Sequence, residues 1–150
     1  MGTHARLSAA PRGRGAREAP LPDAVRGALE RLFGEPVGHI RIFEHCWLTR
    51  LHGRAVATTR AGRIYLRGSA LEFFANPWLM LHEYCHVLRQ WQPGRLTVRA
   101  YLMECLRRGY WNNRFEVEAR AFADAHLTAL QALIARAAAR PAQPSSASRR

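Results

Sequence analysis

The stretch NPWLMLHEYCHVLRQW, residues 76–91, limits what this chain can fold into more than any other part of it. Asn followed by Pro is a helix start: the Asn76 side chain can cap, and Pro77 suits the first helical position, where its missing N–H is not needed. Trp78, Leu79, Leu81, Val87 and Leu88 then surround a short polar set, and Pro93-Gly94 ends the run. For those polar residues to do chemistry, a preceding strand must line a cleft and a later segment must add a further ligand.

The polar set is His82-Glu83-Tyr84-Cys85-His86, an HExxH pattern. Two imidazoles four residues apart share one helical face and can bind one zinc ion, while Glu83 stands beside the water that the metal activates. The same spacing also suits two buried core histidines. Cys85 and His86 adjoin in sequence, but neighbours on a helix diverge by about 100°, so they form no thiol–imidazole dyad. Cys85 reads as a small buried residue.

The flanking segments predict an α+β fold, a small antiparallel sheet packed on the active-site helix and followed by further helices. A first helix runs from Asp23, taken as its cap, through Val25, Ala28, Leu29 and Leu32 to Gly34. From Gly38 to Phe74 the texture is β: HIRIFEH alternates, RAVATT is β-rich, and Arg60-Ala61-Gly62 turns tightly into RIYLRG. Thr97 opens a helix that ends near Gly109, and a last helix runs from Arg114 to Pro141 after Asn112 and Asn113. Residues 1–20 and 140–150 have little large and apolar to bury and read as disordered tails, which leaves 21–139 as the domain.

Two glutamates, Glu116 and Glu118, open the last helix. With Phe115 at zero, its apolar stripe of Ala119, Phe122, Ala123, Leu127, Leu130, Leu133 and Ile134 spans about 340° to 120°. Glu116 falls inside that stripe at about 100°, and Glu118 on its border at about 300°. A carboxylate on a buried face needs a partner, and zinc would be one. Glu116 also suits the positive end of the helix dipole without any metal.

From Gly62 to about Leu133 the chain resembles the minimal single-domain zincins with a glutamate third ligand, the ImmA/IrrE-like bacterial metallopeptidases and related small bacterial domains of the same type. The matching pieces are GRIYLRG as a strand, LMLHEYCHVLRQW as the active-site helix, the helix that follows, and GYWNNRFEVEARAFA as the third-ligand segment. The resemblance implies a zinc metallopeptidase with His82, His86 and Glu116 as metal ligands and Glu83 as the catalytic base. It also places the third ligand first in an E-x-x-A-x-x-F-A-like pattern, here Glu116, Ala119, Phe122 and Ala123. Asn113-Arg114 departs from the Asn-Pro of many relatives. The implied partner is a protein or peptide substrate, with RIYLRG binding an extended peptide at its edge. Tyr101 and Tyr110 are candidates to stabilise an oxyanion, although packing or capping suits each better.

Charge supplies the competing reading. All 23 basic residues are arginine, the net charge is +12, and half of the excess lies in residues 1–20 and 140–150. Arginine tails can bind phosphates without sequence preference, so a nucleic-acid-associated protein is an alternative, as is a metal-binding zincin without peptidase activity. No helix-turn-helix, zinc-finger or RNP signature accompanies the charge. His39, His45 and His52 lack metal spacing and read as surface or satisfied residues, and His126 as a core histidine. Cys46, Cys85 and Cys105 form no disulfide framework. With no apolar run long enough to span a bilayer and no secretory h-region, the expected setting is cytoplasmic and without a membrane partner.

Overall fold

The structure, a computed structural model, describes residues 16–46 and 56–139. In chain order these form β1 (Arg17–Ala19), α1 (Asp23–Phe33), β2 (Arg41–Glu44), β3 (Ala57–Arg60), β4 (Arg63–Leu66), α2 (Ala70–Phe74), α3 (Pro77–Cys85, widened through Trp91), α4 (Val98–Arg108) and α5 (Arg114–Ala139). The α+β class is as expected, but the sheet is mixed where an antiparallel one was predicted. Its order is β1-β2-β4-β3. β3 and β4 make the local hairpin across Ala61-Gly62, with Gly62 at φ 69, a conformation glycine adopts without steric cost. β2 then pairs with β4 in parallel, so β4 lies inside the sheet. Hairpin chemistry is local and legible; the partner of β2 is chosen by burial across the sheet.

Burial alternates along β2 and β4, with Ile42, Ile64 and Leu66 turned inward. They share one core with Leu29 and Phe33 of α1, Met80, Leu81 and Tyr84 of α3, and Ala123 and Leu130 of α5. On the other face Phe43 stacks on Tyr65 at 5.4 Å, with the Arg41 guanidinium over Phe43.

Three further expectations change. Residues 17–19, placed in a solvated tail, form edge strand β1 against β2, because Arg17 meets Glu44 and Glu18 meets Arg41 across the pair. Such a strand is held by charge pairing and backbone bonds, so its composition looks like tail. Residues 1–15 and 140–150 lie outside the described residues. Ala70–Phe74, read as part of the β region, is helix α2, opened by a capping box in which Ser69 and Glu72 satisfy each other's backbone N–H. Asp23 is the first residue of α1 and pairs with Arg26, while Pro22 takes the cap position without a side-chain bond. At the other end Gly34 closes α1 at φ 76.

No helix among the described residues is long and apolar enough to cross a membrane.

Candidate metal centre

α3 starts as its sequence predicts: Asn76 Oδ1 accepts the Leu79 N–H at 3.0 Å and Pro77 occupies the first helical position. The expected single α-helix to Trp91 does not hold throughout. From His86 to Trp91 the turn widens to a π-helix, with the Gln92 N–H reaching Val87 O at 3.0 Å. Such widened turns gather at functional sites.

This geometry brings Gln90 beneath His86. The Gln90 amide nitrogen donates to Phe115 O at 2.9 Å, which leaves its carbonyl oxygen to meet His86 Nδ1 at 2.7 Å. A carbonyl can only accept, so His86 carries a proton on Nδ1 and turns Nε2 toward the rest of the cluster. That Nε2 lies 3.1 Å from His82 Nε2. The His82 ring is stacked on Trp78, centroids 5.2 Å apart, and the Trp78 indole N–H donates to Asp124 on α5 at 2.8 Å.

α5 delivers the carboxylate. Asn113 Oδ1 accepts the Phe115 N–H at 3.0 Å and so caps the helix, while its amide nitrogen donates to Tyr101 O and Cys105 Sγ on α4. Glu116 then points into the interior, as the angular reading of its stripe predicts. Its Oε2 is 3.3 Å from His82 Nε2 and its Oε1 3.6 Å from His86 Nε2. The Tyr101 hydroxyl donates to Oε1 at 2.8 Å. His82, His86, Glu116 and Glu83 are all buried. Within this cluster Glu116 Oε2 and His82 Nδ1 have no hydrogen-bond partner. Three donor atoms from these residues lie within 4.8 Å of one another, and the buried His-His-Glu group can bind a metal ion.

The electrostatics follow from burial and charge. Burial opposes ionisation of Glu116, but the imidazoles of His82 and His86 beside it, with the Tyr101 hydroxyl, outweigh burial and hold the carboxyl well below its usual range. Glu83 has no such support: burial raises its pKa, against the opposing influence of His86 and His82. The Tyr110 phenol is pushed up to about 12, by burial first and then by the Glu116 charge. Cys85 is buried and its thiol is likewise pushed up to about 12, chiefly by burial, which fits an inert core residue.

Other residues singled out in the sequence lie elsewhere. Glu118 receives both Arg95 terminal nitrogens at 2.8 Å and takes no part in the cluster. RIYLRG offers no free edge, since β2 and β3 flank β4 on both sides. Tyr101 bonds the Glu116 carboxylate, so its hydroxyl is committed to the ligand side of the site. His39 and His45 are exposed, and His39 meets the Gln92 side chain. His126 is half-buried, stacked on Phe122 at 4.1 Å. His52 lies outside the described residues. Sequence reasoning missed Gln90 and the Trp78–Asp124 pair. The signal for Gln90 was its place four residues after His86 on a largely apolar helix, where a buried amide needs partners.

No protein-family model matches the chain, and no curated protein and no solved structure matches it significantly.

Proposed function

We propose that the chain is a zinc-dependent metallopeptidase acting on a protein or peptide substrate. The observation that carries this reading is the convergence of His82, His86 and Glu116: the two Nε2 atoms are 3.1 Å apart, with one Glu116 oxygen 3.3 Å from His82 and the other 3.6 Å from His86. Zinc bonds of about 2.0–2.1 Å in a tetrahedron put ligand atoms about 3.3 Å apart, so this donor set suits that ion and leaves one coordination position open. The Gln90 and Tyr101 hydrogen bonds support it further, because they orient a ligand imidazole and a ligand carboxylate as outer partners do in catalytic sites. When bound, zinc supplies a Lewis acid and a water that ionises near neutral pH.

The remaining work falls to the chain. Glu83 follows His82 on α3 and stays outside the ligand set, so its carboxylate is available to take a proton from the attacking water and return it to the leaving amine. Its burial favours the protonated form, which makes the carboxylate a stronger base toward that water. Burial of all four side chains keeps bulk water from competing for the donors. Strand addition of an extended peptide, if used, belongs at an edge strand; β3 is the edge tied to the widened turn, through Trp91 and Thr59 at 3.2 Å.

The test pairs metal analysis with one variant. The purified chain should hold one zinc, and Glu83→Gln should keep the zinc while losing about 100-fold or more of its hydrolysis of an unfolded protein such as casein. Full cleavage by Glu83→Gln, or a wild-type chain that takes up no zinc, would refute the assignment.

A further inference from the structure

α4 is built inside out. At 100° per residue Val98, Leu102, Leu106 and Met103 fall within about 140° of one another on one side of this helix. All four are exposed, Leu106 by 81% and Leu102 by 55%. The opposite side, Ala100, Tyr101, Glu104 and Cys105, is the one turned to the protein, and no residue of α4 is buried. Apolar surface presented outward along a whole helix marks an interaction face. The chain leaves α4 through Tyr110, whose ring is half exposed while its phenol oxygen lies near the Glu116 charge, and Trp111, exposed by 72%.

Charge identifies the occupant. On the same wheel, counted from Val98, Arg99 falls within the stripe at about 100° and Arg107 beside it at about 180°, and both are exposed. The single acid of α4, Glu104, has a side chain only 12% exposed and lies within ion-pair distance of Arg108 and Arg114. A second copy would set arginines against arginines. An exposed apolar stripe that carries Arg99, is flanked by Arg107 and is followed by the exposed Trp111 instead fits a flat anionic surface, where leucines enter the acyl boundary and the indole ring sits at headgroup depth. We propose that α4 and the Tyr110–Trp111 turn dock the protein peripherally on an anionic lipid bilayer. The proposal goes beyond the metal site, does not depend on it, and departs from the sequence expectation of no membrane partner.

The experiment is co-sedimentation of the full chain with phosphatidylcholine vesicles, with and without about 30% phosphatidylserine. Wild type should pellet only with the anionic vesicles. Leu102→Glu/Leu106→Glu should bind at least about tenfold less, with unchanged helix content, metal content and melting temperature. Arg99→Glu/Arg107→Glu, which keeps all four apolar side chains of the stripe, should lose binding near physiological salt. The proposal falls if wild type ignores anionic vesicles at low salt. It falls equally if the leucine variant binds undiminished, since the arginines would then act by charge alone, as they would on a nucleic acid. A lower melting temperature for the leucine variant would show that the chain itself covers the stripe. A wild-type dimer that this variant dissolves would assign the face to a second copy.

Discussion

Glu116 and Glu118 are two residues apart on one helix and end in unlike surroundings: one carboxylate lies between two imidazoles and a phenol, the other in a two-pronged pair with Arg95 at the surface. The metal reading therefore gives them opposite fates. Glu116→Ala should strip the bound metal, since two imidazoles alone hold it weakly. Glu118→Ala should retain it and cost at most about 1 kcal/mol of stability, the usual worth of a solvent-exposed pair. Elemental analysis and urea melts of the two variants check this; metal lost from Glu118→Ala and kept by Glu116→Ala would reverse the roles. The angle of Glu116 was legible because α5 has a clear apolar stripe. Gln90 was not, because an ideal helix does not anticipate the widened turn that brings it under His86.

Glu44 shows how elements are joined. It sits on β2, accepts the Ala70 N–H of α2 at 3.0 Å and Arg17 Nε of β1 at 2.7 Å, and has a side chain only 5% exposed. Those donors, the backbone N–H first and then Arg17, hold its carboxyl below the ordinary value against the opposing effect of burial. A carboxyl depressed on folding stabilises the fold above its unfolded pKa, and that stability disappears as pH falls through the folded value. Glu44→Gln should therefore be less stable than wild type at neutral pH, with the gap closing in urea melts as pH falls below the ordinary carboxylate range and through the folded value. A gap independent of pH would mean that the carboxylate charge contributes nothing.

The same residue marks where sequence reading stops. Caps and breakers are local, so Asn76-Pro77, Thr97 and Gly34 are visible in the sequence, and α1, α3, α4 and α5 with them. β1 hides because its three residues, Arg17-Glu18-Ala19, bury almost nothing and are held by charges 23 to 27 residues away. The parallel pairing of β2 with β4 hides because nothing local encodes it.

For the whole molecule, the His-His-Glu cluster joins α3 to α5, helices that otherwise meet through apolar contacts and the Trp78–Asp124 hydrogen bond. A metal bound to the folded state alone adds about 4 kcal/mol at a free concentration a thousand times its dissociation constant. Chelation should accordingly lower the melting temperature by about 10 °C or more, recovered when zinc is restored. Melting curves that coincide with and without chelator would show that no ion bridges the two helices.

The widened turn at His86–Trp91 also decides how portable the site is. Compared with an ideal α-helix it holds one residue in surplus, which shifts the phase of all that follows. A designer who grafts the five letters HEYCH onto a straight helix would reproduce the imidazole spacing and lose the amide that sets the His86 proton. The transferable unit is residues 76–91 together with the carbonyl of Phe115, and deleting one residue between 87 and 91 would turn the downstream chain by about 100°, carrying Arg95 away from Glu118 while leaving both histidines in place.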